Sequence, residues 1–355
     1  MKFKLWLFRK NKVIIIFVIL IMCFCSCDFS NKKVITTTVD PLYITDTTFT
    51  DTDDPAIWIN KNKPEESLIL GTDKGDSTGG IFVFDLKGKL VSYKCIYNLH
   101  RPNNIDVEYG FKFNNENIDI AVFTERLKKR IRVLAIPDFK FIDNGGIDVF
   151  VDEPDSLREP MGIALYKSKN NDVFVFVTRK KGPKTNYVYQ YQLIDSNSIV
   201  KALFIRKFGE FSGKKEIEAI VVDDELGYVY YSDEGVGVRK YYADAAKGNS
   251  QLSIFAISNI AQDHEGLCIY NMPNGKGYII LSNQGANEFH IFNRKGSLLR
   301  PHKHRLLKIV KVKAIESDGC DIASIYLNSD FPKGIFVAMS TDKTFHYYRA
   351  DDIIP

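Results

Sequence analysis

Short runs of β-branched and aromatic residues, each stopped by polar residues or glycine, recur along most of the chain. One set reads SLILGTDK, DIAVFTER, VFVFVTRK, YVYYSDEG, YIILSNQG and GIFVAMST. A second set follows in the same order: GIFVFDL, RIRVLAI, YVYQYQL, GVRKYY, FHIFNR and FHYYRA. Composition and length predict strands for both. Lys87-Gly88-Lys89, Asn144-Gly145-Gly146 and Lys295-Gly296-Ser297 mark outer hairpin turns. A third kind of run opens on an acid, at Asp54, Asp106, Glu218, Glu265 and Asp321, with a sixth copy starting at Met161. The intervals between these six openings are 52, 55, 57, 47 and 56 residues. A period near fifty residues belongs to a propeller, a solenoid or an array. Six copies of each strand predict an all-β chain, a single six-bladed β-propeller over residues 43–355. Tandem β-sandwiches would not keep one period over that length. Residues 244–249 and 259–263 read as loops, and no long helix is expected. In a propeller, equivalent positions converge on one axis, so acids far apart in sequence should face one another.

The first 27 residues break this pattern. Lys2, Lys4, Arg9, Lys10 and Lys12 precede an uncharged apolar run at 13–24, too short for a comfortable membrane span. Phe24-Cys25-Ser26-Cys27 ends it like a loose bacterial lipobox, with Cys27 as the acylated residue. A polar tether, 28–42, would follow. The expectation is export to the bacterial cell envelope, on the periplasmic or outer-membrane face, with lipid attachment at Cys27 as the sole link to the membrane. The five basic residues of the leader, with no acids, take the formal net charge from +4 to −1. Nucleic-acid binding is thereby disfavoured, and a monomer is expected. Of six cysteines, Cys95, Cys268 and Cys320 remain beyond the leader, without metal-type spacing. Cys268 and Cys320 lie in apolar runs and read as small buried hydrophobes.

Two rows of residues carry the candidate chemistry. The acids opening the inner strands form one. The ends of the second strands form the other: Lys74, Arg126, Arg179 and Lys180, then Asp233, Glu234, Asn283 and Gln284. If both rows share a face, half of its rim is cationic and half is rich in carboxylate and amide oxygen. Such oxygens suit Ca²⁺, whereas zinc would want His or Cys, and His264-Glu265 lacks the second His of a metalloprotease helix. The cationic half suits phosphate. Capture of a polyanion and metal-assisted phosphoryl hydrolysis both fit. Asp223-Asp224-Glu225 reads as a solvated hairpin, and no His pairs with a Ser or Cys nucleophile.

These residues resemble the β-propeller phytases, six-bladed calcium-dependent phosphatases acting on inositol hexakisphosphate. The matching stretches are Asp53-Asp54-Pro55-Ala56-Ile57-Trp58, Asn103-Asn104-Ile105-Asp106, Ile217-Glu218-Ala219, Asp263-His264-Glu265-Gly266-Leu267, Asn283-Gln284-Gly285 and Asp318-Gly319-Cys320-Asp321. The resemblance implies Ca²⁺ ligands at Asp54, Asp106, Glu218, Glu265, Gln284, and Asp318 or Asp321, with Asp263 and Met161 completing the set. It implies that Lys74, Arg126 and Lys180 hold substrate phosphates, with Asn104 as a further contact, and that Glu234 lies near the phosphate being cleaved. Lys74, Arg126, Lys180, Glu218 and Glu234 would then carry catalysis, by direct attack of a calcium-bound water without a phospho-enzyme. The implied substrate is phytate or another inositol phosphate as its calcium complex, in a reaction of the 3-phytase type. The sequence departs from the family at Met161, where Tyr is common, at Gly75, at Lys181, and at Met339-Ser340, where Gln-Asp is usual. A calcium-dependent lactonase or esterase propeller, and a non-catalytic propeller binding polyphosphate or glycan, are the competing readings.

Overall fold

The computed structural model describes residues 34–258, 260 and 263–355. The expected leader and lipobox at 1–27, and the tether up to residue 33, lie outside them. Residues 36–355 form one compact unit.

Six antiparallel sheets follow one another along the chain. Blade one is built from Thr52–Trp58, Leu68–Asp73, Gly79–Phe84 and Ile96–Leu99. Blade two uses Pro102–Phe113, Glu116–Glu125 and Arg130–Ile136, with two short outer strands at Lys140–Phe141 and Ile147–Asp148. Blade three uses Pro160–Lys167, Val173–Arg179, Thr185–Asp195 and Val200–Glu210. Blade four uses Ile220–Asp223, Tyr228–Asp233, Gly237–Tyr242 and Ser253–Phe255. Blade five uses His264–Met272, Lys276–Asn283, Glu288–Asn293 and Leu306–Lys311. Blade six uses Cys320–Ile322, Ile335–Ser340 and Thr344–Arg349. Its outermost strand, Tyr43–Ile44, comes from the other end of the chain, and Ile35–Thr38 likewise adds a fifth strand to blade five. Part of the stretch expected to be a tether is therefore a sheet edge. Among the described residues the longest α-helix is Ala350–Ile353.

The core lies between blades. Ile57, Ile69, Phe82 and Phe84 of blade one pack on Val337, Met339, Phe345 and Tyr347 of blade six. Equivalent clusters fill every other interface around the ring. Both faces of a middle strand are covered, so VFVFVTRK and YIILSNQG read as continuous apolar runs instead of alternating ones. Full burial of each large side chain contributes about 1.5–3 kcal/mol.

The inner strands carry the features that shape the axis. Bulges interrupt four of them, between Thr52 and Pro55, Pro102 and Ile105, Pro160 and Ile163, and His264 and Leu267. A bulge leaves N–H groups outside the ladder and re-aims side chains. A hydroxyl near the end of the second strand takes up the freed N–H: Asp54 N donates to Thr72 Oγ1 at 2.9 Å, and Gly162 N to Thr178 Oγ1 at 2.8 Å. At the same register Thr124, Thr178, Ser232 and Ser282 donate to carbonyls of the next blade, at Met161, Ile217, His264 and Ser317, over 2.5–2.7 Å. Blades three and four nearly touch through backbone here, since a Cβ on Gly162 would stand 1.8 Å from the Glu218 carbonyl oxygen.

Candidate functional site

Beyond each of these hydroxyls the chain carries two polar residues with different fates. The first turns inward and anchors the loop that approaches it. Asp73 accepts the N–H groups of Phe49 and Thr50 at 2.9 and 2.7 Å. Arg179 is fully buried, pairs with Glu153 at 3.2 Å and lies against the rings of Phe150 and Tyr189. Asp233 accepts from Ser212 N at 2.9 Å and pairs with Arg239 at 2.8 Å. Arg179 and Asp233 are thus structural anchors, not rim groups for a ligand.

The second polar residue belongs to the rim. Lys74 Nζ lies 2.8 Å from Asp53 Oδ1 and 2.9 Å from Asp318 Oδ2. Burial works against its charge, but Asp53, Asp318 and Glu218 outweigh it and hold the amine protonated far above its ordinary range. Lys180 pairs with Glu216 at 2.5 Å, and Lys215 with Asp263. Gln284 donates to Asp318. Arg126 is buried, with its guanidinium against the Met161 sulfur.

Carboxylate oxygens of Glu234, Asp263 and Glu265 all lie within 4.8 Å of one another, with Lys215 on Asp263. Glu234 Oε1 is buried with no hydrogen-bond partner among the described residues. Burial, then the charges of Glu216 and Glu218, push the Glu234 carboxyl up to about 9. Burial and Glu234 raise Glu265 well above the carboxylate range. Glu218 is pushed to about 8 by burial and by Asp53, and it interacts with Lys74 and Asp318. Three crowded carboxylates, of which Asp263 alone has a direct cationic partner in Lys215, fit a hard divalent cation, which would let Glu234 and Glu265 ionise.

The remaining predicted ligands are elsewhere. Asp54, Asp106 and Asp321 line the narrow axial channel together with Asn104. Each reaches across a blade interface to an inner-strand N–H: Asp321 Oδ2 accepts from Ile57 at 2.8 Å, Asp54 Oδ2 from Ile105 at 3.1 Å, and Asp106 Oδ2 from Leu165 at 2.7 Å. Burial raises Asp106 to about 8 and Asp321 to about 6, and it raises Asp54 well above its ordinary range. The periodic acids therefore divide into a rim group and a channel group. Glu218 bridges the two through its interactions with Lys74 and with Asp54. Asn104 faces the channel with its Oδ1 unpartnered, buried to 7 % exposure.

At Met161 the main-chain carbonyl is the oxygen that could serve the expected metal. The residue is fully buried, its carbonyl accepts the Thr124 hydroxyl at 2.7 Å, and its sulfur meets Arg126. A thioether is a poor ligand for Ca²⁺, and this one serves as the seat of a phosphate-binding candidate. Asp223-Asp224-Glu225 is not a solvated hairpin either. Asp223 and Glu225 clamp the buried Arg294, at 2.5 and 3.0 Å, and Asp224 accepts from Lys167 N of blade three at 3.3 Å.

Sequence reasoning missed Asp53 and Glu216 as partners of Lys74 and Lys180. Their signal was local: each stands one or two residues before an acid already in the series. Asp53 also accepts from Asn103 Nδ2 at 2.8 Å, which ties blade two to the same lysine.

The chain has relatives among known proteins. A profile of the phytase family matches residues 16–346. The 3-phytase of Bacillus subtilis (strain 168) is 32% identical over 296 residues, 81% of this chain and 73% of that protein. Among solved structures, a luciferin-regenerating enzyme aligns with a TM-score of 0.47 at 15% identity, over 85% of this chain and 91% of its own. The WD40 β-propeller domain of Doa1 aligns with a TM-score of 0.45 at 13% identity, over 83% and 78%. A family profile over nearly the whole propeller, and a relative at this identity over most of both lengths, lead to one assignment: the chain belongs to the phytase family.

Proposed function

We propose that this protein is a calcium-dependent phytase, which hydrolyses phosphomonoesters of myo-inositol hexakisphosphate and releases inorganic phosphate. The observation that carries this reading is the cluster of Glu234, Asp263 and Glu265, whose oxygens lie within 4.8 Å of each other; Lys74, Arg126 and Lys180 would supply the cationic part of the same rim. Family membership supports the reaction class. Glu234, Asp263 and Glu265, with Glu218, Gln284 and Asp318 beside them, would hold calcium on the rim. Asp54, Asp106, Asp321 and Asn104 would hold it in the channel. Calcium bound at the rim would polarise a phosphoryl oxygen and lower the pKa of water.

The chain's own groups have separable tasks. Lys74, Arg126 and Lys180 bind the equatorial oxygens of the phosphate and offset the charge that grows on them, the dominant need in phosphoryl transfer. Asp53 and Asp318 orient the Lys74 ammonium before substrate arrives. Met161 holds the Arg126 guanidinium at a fixed height. Glu234 Oε1, buried and unpartnered, is available to hold a proton or a water beside the cleaved phosphate. We further infer that the substrate arrives as its calcium complex and that the enzyme acts as a monomer, exported and lipid-anchored, the export and anchor being supported by the basic and apolar leader.

The test is phosphate release from phytate with calcium and again with a chelator. Release that depends on calcium is expected; no release at any calcium level would sink the proposal. Lys74→Ala and Arg126→Ala separate it from a lactonase or esterase propeller, which needs no cationic arc and would keep its turnover.

A further inference from the structure

Two thiols meet in the wall of the axial channel. Cys268 stands on the inner strand of blade five and Cys320 on that of blade six, and their Sγ atoms are 3.4 Å apart. Both are buried and both line the channel beside Asp54 and Asp321. The backbone enforces this approach. Gly266 N donates to Asp318 O at 2.5 Å, and a Cβ on Gly266 would stand 2.9 Å from Cys320 N. Shrinking the gap to a bond of about 2.05 Å asks each sulfur to move by only about 0.7 Å. Cys95, in blade one, instead accepts the N–H of Val83 at 3.3 Å.

We propose that Cys268 and Cys320 form a disulfide that pins blade five to blade six at the channel wall. The bond would join the segment carrying Asp263 and Glu265 to the segment carrying Asp318, fixing carboxylates of two blades relative to one another. On the outer side of these blades, Ile35–Thr38 and Tyr43–Ile44 complete the two sheets. The disulfide is the inner counterpart of that closure.

Thiol–disulfide exchange supplies the chemistry, with a small or protein-borne disulfide as oxidant. One cysteine thiolate attacks the donor, whose S–S bond breaks as a mixed disulfide forms. The second cysteine then attacks the mixed disulfide and releases the other donor sulfur. The two cysteines lose two electrons, the donor gains two, and both thiol protons end on the donor's thiols. Burial assigns the exchange to the folding chain, before the blades close over the pair, and shields the finished bond from reductant.

The experiment refolds the full chain in mixed oxidised and reduced glutathione, and separately in excess dithiothreitol. Each sample is denatured, alkylated and mapped by peptide mass without reduction. The expected result joins the Cys268 and Cys320 peptides in the oxidised sample and leaves Cys95 alkylated. The oxidised protein should also melt roughly 5 °C above the reduced one. Cys268→Ala with Cys320→Ala should abolish that difference. Recovery of Cys268 and Cys320 as singly alkylated peptides after oxidative refolding overturns the proposal. So does a melting difference that persists in the double variant. The comparison of oxidised with reduced wild type stands even if the variant fails to fold.

Discussion

Lys74 touches two carboxylates from different places in the chain, Asp53 and Asp318, and that double pairing fixes the point its charge occupies. Lys74→Ala should lower kcat/KM for phytate by roughly 10²–10³-fold, the usual effect of removing a preorganised charge at developing negative oxygens. Met161→Ala frees Arg126 from its seat, so kcat and kcat/KM should fall together by several-fold, a pattern that steady-state kinetics reads directly. The rim carboxyls predict a pH effect on the metal-free protein. Glu234 goes from an ordinary value near 4.5 to about 9 on folding, and Glu218 to about 8. Between those limits the native state binds more protons than the unfolded chain, so stability must fall as pH rises. In chelator, Tm should therefore decline from pH 5 to pH 9, and saturating calcium should flatten that slope; equal slopes with and without calcium would contradict a rim metal site. At this scale the sequence was legible where a residue type repeats: the repeat offered Lys74, Arg126, Arg179, Lys180, Asp233 and Glu234 alike, and the family resemblance singled out Lys74, Arg126, Lys180 and Glu234. It was illegible where two residues of one pair diverge. Arg179 and Lys180 are neighbours, yet the first is fully buried and the second meets Glu216, because alternate side chains at a strand end face opposite ways.

At the scale of the strand, the repeated hydroxyl is the device that lets an inner strand bulge without losing hydrogen bonds. Thr178 Oγ1 accepts from Gly162 N at 2.8 Å and donates to Ile217 O at 2.6 Å. Thr178→Val keeps the shape and removes both bonds, leaving two buried backbone groups unpaired. The expected cost is about 1–3 kcal/mol, visible as a lower urea midpoint with an unchanged m-value. The pattern was present as T-D-K, T-E-R, T-R-K, S-D-E and S-N-Q. It reads as polar termination of a strand until the bulge beside it is known, and bulges leave no mark in an apolar period. Hydrogen bonding separates the channel acids from the rim acids. Asp54, Asp106 and Asp321 spend one oxygen each on a neighbouring blade's N–H, whereas Glu234, Asp263 and Glu265 crowd at the rim.

At the scale of the molecule, the six-fold period was enough to give blade number and order, because a closed ring of sheets is what repeated strands with apolar faces on both sides can build. The way the ring shuts was not legible. Ile35–Thr38 lies in a polar stretch that read as tether, and Tyr43–Ile44 is two residues long, with nothing local to show that its partner is Thr344–Arg349 at the far end of the chain. Truncation through residue 44 should remove the edge strands of blades five and six and lower Tm by several degrees, while truncation through residue 33 keeps every strand described; calorimetry distinguishes the two. This closure also sets a timetable. Phe345 N donates to Thr45 Oγ1 across 300 residues, and Thr45 N to Phe345 O. The ribosome makes one side of that seam first and the other last, at about 5–20 residues per second. An early strand must therefore wait for on the order of 15–60 seconds with its hydrogen-bonding edge unmatched. The last blade cannot assemble during translation of the others, and its completion is the step at which a nascent chain of this protein is most open to wrong pairing or to capture by a chaperone.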